Sequence, residues 1–292
     1  MIKRNTNVKN QQASRRLLFV AAAVLVGGGL ACWGATFAFR ALRGVWREQF
    51  RVQDTAIDVV ITSSGKNVTP GTISFQFDLT NGVNLATIPY EEKSKSLIAR
   101  NPNIRSIAIE RRLPRRVTID VKEREPAVHV APLKGKGNAG LVADYDGVVF
   151  RTYNAPPQLP VIREPAETKR MPGQRLEGHA YAALQLVHLL ADAADGKSDA
   201  PAQLVDMRVR EINTSKKDYL LATLDDYSTA EIAWDQMGED SDIAQKSLRR
   251  QLVHLAHAIA TRLTPRATHW IATEYEKGGR VYAADPTRHG ER

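Results

Sequence analysis

Two short runs with strict alternation constrain this chain more than any other feature. Ile107 and Ile109 alternate with Ser106, Ala108 and Glu110, and Val117, Ile119 and Val121 alternate with Thr118, Asp120 and Lys122. A period of two points successive side chains to opposite faces, so each run reads as a strand with one buried face. Between them stands "RRLPRR", Arg111 to Arg116. Its proline breaks strand pairing and its arginines stay in water, so the runs close as a β-hairpin with a basic tip. Six cations (Arg111, Arg112, Arg115, Arg116, Lys122 and Arg124) crowd this segment, which also fits a patch for nucleic acid or another anionic polymer.

The distribution of charge decides how far that second reading goes. The chain has 292 residues and a net charge of +9. Residues 1–51 hold nine Lys and Arg against the single acid Glu48, and the other 241 residues carry 32 basic and 31 acidic side chains. The excess therefore belongs to the N-terminal tail. A nucleic-acid-binding domain would carry it on the fold.

Leu17 to Phe39 is 23 residues without a charge. About 20 apolar residues cross a bilayer core as a helix, so 17–39 is expected to be a transmembrane helix. A cleavable leader is the rival, but its apolar core usually runs about 7–15 residues. Lys3, Arg4, Lys9, Arg15 and Arg16 precede the run without an acid, which keeps residues 1–16 in the cytoplasm. Residues 40–49 read as a juxtamembrane connector, with Trp46 suited to the membrane–water interface. The single cysteine, Cys32, lies inside the expected span, so the folded part is built without disulfides.

From Phe50 the pattern becomes a series of short elements. Ile57 to Ile61 is a β-branched strand candidate. Thr69 is a suitable N-cap with Pro70 at the first helical position. A second short helix follows through Tyr90, Leu97 and Ile98, and Asn101-Pro102 stops it. With the hairpin, residues 50–125 read strand–helix–helix–strand–strand. Residues 126–286 are mostly strand: "AVHVA", "LVADYDGVVF" around an Asp146-Gly147 turn, "LVDMRVREI", "YLLATL", "STAEIAW", and a last pair around Lys277-Gly278-Gly279. Two helices interrupt them, "GHAYAALQLVHLLADAA" and Ser241 to Leu263, whose Leu248, Leu252, Leu255, Ile259 and Leu263 form an apolar stripe. Residues 287–292 are polar and expected to be a disordered tail.

The order of elements and one long text together resemble the FtsQ/DivIB family of bacterial cell-division proteins. That text is "NPNIRSIAIERRLPRRVTIDVKEREPAV": Asn-Pro, an alternating strand, a basic residue, a Leu-Pro turn, a second alternating strand and Glu-Arg-x-Pro. "LVADYDGVVF", "LPVI", the helix bearing Lys246 and the terminal hairpin continue it. The match spans residues 15–285 and is strongest over 97–163. It departs in the first strand, which lacks a Val-x-Gly ending, and in the loop 194–203.

The resemblance implies an α+β protein with one N-terminal transmembrane helix, a POTRA domain (β-α-α-β-β) and a β-rich domain with a mostly antiparallel sheet and flanking helices. It also implies a non-catalytic, cofactor-free divisome scaffold of the inner membrane, single-pass, with its C-terminus outside the cytoplasm at the division site. Its partners would be single-span proteins of the FtsB/FtsL kind and other divisome components, with no nucleic acid among them. In such proteins the partner adds a strand near the C-terminal edge of the β domain. Here that edge is 268–284, with Trp270, Tyr275, Arg280, Val281 and Tyr282 as contact candidates. Arg111, Arg112, Arg115 and Arg116 are candidate contacts of the POTRA domain. They equally carry the alternative function, an extracytoplasmic binder of anionic polymer or lipid.

Other chemistries find weaker support. His254 and His257 are three apart on a helix, but no third metal ligand has matching spacing. "DYDG" opens like a calcium loop, yet Tyr153 stands where the closing Glu belongs. "EKGGR" lacks the strand–loop–helix order of a phosphate-binding loop, and no HExxH, GxSxG or nucleophilic cysteine is present.

Overall fold

The two alternating runs form β2 (Ile104–Arg112) and β3 (Arg116–Glu123), but they do not bury equally. In the three-stranded sheet the order is β1 (Val59–Ser63), β3, β2, so β3 is central and β2 lies at an edge. Val117, Ile119 and Val121 of β3 are accordingly fully buried, whereas Ile104 is the one residue of β2 in the core. The computed structural model describes residues 33–45, 48–53, 59–63, 65–112, 116–134, 140–197, 201–261, 268–277 and 279–283. Residues 1–32, Trp46, Arg115, Leu263 and the tail 287–292 lie outside the described residues, and with them most of the expected span and Cys32.

The expected fold class is corrected at two points. Among the described residues no helix is long and apolar enough to cross a membrane. Residues 33–45 are helical and exposed, but the helix runs on through Arg40 and Arg43 instead of ending with the apolar run at Phe39. Second, the fold is mixed α/β and not α+β: its nine-stranded sheet includes three parallel pairs among five antiparallel ones. The reason lies in the connections described below.

The chain divides into two compact units. The smaller takes Met1–Ile61, Ile73–Tyr90 and Ile109–Ile119, the larger Thr62–Thr72, Glu91–Ala108 and Asp120–Arg292. In the smaller unit, Val52 donates its N–H to Val83 O at 2.8 Å and accepts from Gly82 at 2.8 Å. Ile73, Phe77, Leu79 and Leu85 are buried there, and the Phe77 and Tyr90 rings lie 6.1 Å apart. Two helices precede the hairpin, α1 (Pro70–Gln76) and α2 (Tyr90–Arg100). Thr69 caps α1, its Oγ1 accepting from Thr72 N at 3.3 Å.

The larger unit holds a nine-stranded sheet. Its strands are β4 (Val128–Pro132), β5 (Leu141–Ala143), β6 (Val149–Arg151), β7 (Val161–Glu164), β8 (Val209–Asn213), β9 (Leu220–Leu224), β10 (Thr229–Ile232), β11 (His269–Glu274) and β12 (Arg280–Ala283). Their order across the sheet is β12-β11-β10-β9-β8-β7-β4-β5-β6. The helices α3 (Gly178–Ala194) and α4 (Asp242–Thr261) each carry the chain back to the start of a neighbouring strand. A helical return of that kind forces the two strands it joins to run parallel. So β7 pairs with β8 in parallel across α3, and β10 with β11 across α4; β4 and β7 are parallel as well. The remaining neighbours are antiparallel.

One row of side chains shows how the core is laid out. Register aligns Val130, Ile162, Ile212, Ala222, Ala230 and Trp270 across six strands. All are buried in one cluster with Leu184, Val187 and Leu190 of α3 and Leu248, Leu252 and Leu255 of α4. Two small alanines in the row leave room for the helices over the middle of the sheet.

The Glu-Arg-x-Pro text supplies two polar anchors within this unit. Glu123 is 6% exposed and its carboxylate accepts from Ser63 Oγ (2.9 Å), Asn67 N (3.1 Å), Asn67 Nδ2 (2.8 Å) and Val68 N (3.0 Å). Arg124 donates Nη1 to Asp144 at 2.6 Å and Nε to Pro102 O at 3.1 Å. Asp144 in turn accepts from Val148 N at 2.8 Å, closing the turn in which Gly147 has φ +77°. Thus "NP", "ERxP" and "DYDG", far apart in the chain, meet through one arginine.

Candidate functional site

The two ends of the nine-stranded sheet are treated differently by the chain. At the β6 end, residues 173–176 run alongside: Val149 N donates to Gln174 O at 2.8 Å, Gly173 N to Val149 O at 2.7 Å, and Leu176 N to Gly147 O at 2.8 Å. That edge is covered. At the other end stands β12, and among the described residues none pairs with its outer side. A strand so placed presents unpaired N–H and C=O groups to any extended chain that approaches.

β12 pairs with β11 in antiparallel register, Trp270 opposite Ala283, Ile271 opposite Tyr282 and Glu274 opposite Arg280, with a bulge between Ile271 and Glu274. Alternation then sorts the expected contact residues. Tyr282 is 44% exposed, on the face away from the helices, and donates its hydroxyl to Glu274 Oε2 at 3.2 Å. Arg280 is exposed, and Val281 leans on the core cluster. Tyr275 is half-buried in the 3-10 turn Tyr275–Lys277, its carbonyl accepting from Arg250 Nη2 at 3.3 Å. Trp270 is 3% exposed and belongs to the core, where its indole supports the strand from beneath.

Beside this turn lies a groove of 540 Å³ lined by Ile243, Lys246, Ser247 and Arg250 of α4 together with Asp235, Tyr275 and Glu276. Ile243 is exposed within it, flanked by charges of both signs. A larger cavity of 990 Å³ opens between the second half of α3, the loop before β7 and the start of β8. Two carboxylates on its wall are engaged, Glu211 by Arg163 at 3.0 Å and Asp225 by Arg210 at 3.8 Å.

The described arginines of the basic hairpin are exposed, and two of them have partners. Arg111 lies over the Tyr90 ring at 5.7 Å and Arg112 donates to Glu110 at 2.9 Å. Arg116 is exposed at the start of β3, and Arg115 lies outside the described residues. Burial pushes the Tyr90 hydroxyl up to about 12, with Arg111 pulling it the other way. His254 and His257 do not converge: His254 donates its Nδ1–H to Gly279 O at 2.6 Å, while His257 is exposed. Among the described residues no group of three or more His, Cys, Asp or Glu is placed to hold a metal ion.

Sequence reasoning did not single out Arg124–Asp144 or His254–Gly279. For the first pair the signal was present, since both residues sit in the motif texts quoted above. The second pair joins a helix to a turn 25 residues away, which spacing cannot show. No family model matches the chain, and no curated protein matches it.

Proposed function

We propose that this chain is a non-catalytic scaffold of the bacterial cell-division machinery. It works at the inner membrane with its folded part outside the cytoplasm, and it recruits and links single-span division proteins of the FtsB/FtsL kind. The partner adds a strand to β12. The single observation that carries this reading is the asymmetry of the sheet: the β6 edge is covered by the chain's own residues 173–176, and the β12 edge by no described residue. Main-chain hydrogen bonds along such an edge give affinity, and alternate side chains give specificity. Tyr282 and Arg280 stand exposed on it, residue types favoured as interface anchors. The motif texts over residues 97–163 supply the family half of the argument.

The test is capture of FtsB/FtsL-type partners by the full chain and by Tyr282→Glu. The wild type is expected to capture them and the variant to lose at least tenfold in affinity, because a carboxylate replaces an aromatic anchor beside Glu274. Equal capture by both chains, or none by the wild type, would remove the scaffold reading. The alternative, an anionic polymer or lipid binder through Arg111–Arg116, predicts steeply salt-dependent binding. Two of its arginines are already engaged by Tyr90 and Glu110.

A further inference from the structure

β12 is four residues long and lies at the end of the sheet, the kind of strand that opens most readily. What holds it is concentrated at its first turn. Gly279, immediately before β12, has φ +76°, a conformation that L side chains rarely adopt. A Cβ added there would lie 2.5 Å from His254 Nδ1, 2.9 Å from Gln251 Oε1 and 3.0 Å from His254 Cε1. The backbone at this point is therefore pressed directly onto α4.

Polar contacts fix it there. A carbonyl only accepts, so the 2.6 Å contact has His254 donating Nδ1–H to Gly279 O. Gly279 N donates to Glu274 O at 3.2 Å, and Arg250 Nη2 donates to Tyr275 O at 3.3 Å, so α4 grips both ends of the turn. His254 stands four residues after Arg250 and three after Gln251, spacings that make it a neighbour of both on the helix surface. Gln251 is fully buried beneath the turn. Downstream, Val281 packs on the core, and Tyr282 and Ala283 pair with Ile271 and Trp270 of β11.

We infer that His254 and Gly279 form a latch between α4 and the β11–β12 turn, and that the latch holds β12 in the conformation a partner strand needs. His254 is thus a positioning residue: it acts on the partner only through β12. The inference rests on the strand-addition reading for its consequence in binding, but the latch itself is a property of the free chain. A pre-ordered edge strand spares the complex the cost of ordering it, so loosening the latch weakens binding without removing a contact.

Two readouts on the full chain separate the latch from the reading it serves. The first is hydrogen exchange at β12 amides in the free protein, for wild type, His254→Ala, His254→Asn and His257→Ala. Loss of one hydrogen bond is expected to speed exchange at β12 by about fivefold to tenfold in His254→Ala, with β9 and β10 unchanged. Asparagine, whose amide can reach the same carbonyl, is expected to recover most of the protection, and His257→Ala to behave as wild type. The second is affinity for an FtsB/FtsL-type partner, expected to fall by about the same factor in His254→Ala. Unchanged exchange at β12, or equal acceleration throughout the sheet, would overturn the latch. Faster exchange with undiminished affinity would overturn its role in binding. Faster exchange in a chain whose wild type captures no partner would leave the latch standing and remove strand addition.

Discussion

Single residues carry more of this structure than their composition suggests. A Cβ on Gly65 would lie 2.3–2.7 Å from the carboxyl atoms of Glu123, so the loop 65–68 closes over that carboxylate only because residue 65 has no side chain. Gly65→Ala and Glu123→Ala are each expected to cost about 1–3 kcal/mol, the first by displacing the carboxylate and the second by leaving Asn67 N and Val68 N without an acceptor. Thermal unfolding of the two variants and of their double mutant checks this: they act on one cluster, so the double mutant should lose less than the sum. Tyr90 gives a test in pH. Its hydroxyl is buried without a hydrogen-bond partner among the described residues, and burial raises its pKa from 10.0 to about 12. The unfolded chain therefore releases this proton first, and the stability tied to the neutral form is complete below pH 10 and lost as pH rises through about 12. Tyr90→Phe should be at least as stable as wild type at pH 7 and should gain on it between pH 9 and 11, read from denaturant midpoints. A constant difference over that range would mean that the ring is solvated.

At the scale of elements, alternation located central strands well and adjacency not at all. β3 and β10 bury every second residue, and that is what their sequences show; β9 does the same although Leu221 breaks the alternation in its text. β2 has the same alternation but lies at an edge, so Ile107 and Ile109 are only half-buried. Periodicity reports which face is apolar and cannot report how many neighbours a strand has. The parallel pairings were missed for a related reason. Each of α3 and α4 was legible as an apolar-striped helix between two strands, which is the signature of a crossover, but β-rich surroundings favoured hairpins. Trp270 shows the consequence. As an aromatic near the chain end it reads as an interface anchor; in the structure it stands opposite Ala230, beneath α4. Trp270→Ala is expected to cost about 3–5 kcal/mol in global stability, with Trp270→Phe much milder. Tyr282→Glu should leave stability within about 0.5 kcal/mol of wild type, as a surface change does. Chemical denaturation of the three variants decides whether the two aromatics have these separate roles.

For the whole molecule, the charge tally covers the full sequence, whereas most of the apolar run 17–39 lies outside the described residues. The basic excess lies in residues 1–51, and the other 241 residues are nearly neutral. Residues 17–39 read as a span from hydropathy alone, yet the described helix continues past Phe39 through Arg40 and Arg43, and none of the described helices suffices to cross a membrane. What remains is a sheet with one covered edge and one that no described residue pairs. The central claim is that β12 is where a partner joins, and hydrogen exchange of the full chain with and without a saturating FtsB/FtsL-type partner tests it most directly. The account predicts new protection at Arg280–Ala283, where outward amides gain a strand, and no change at β6, whose edge is already covered. Protection centred on Arg111–Arg116, or binding that leaves β12 exchanging as before, would contradict it.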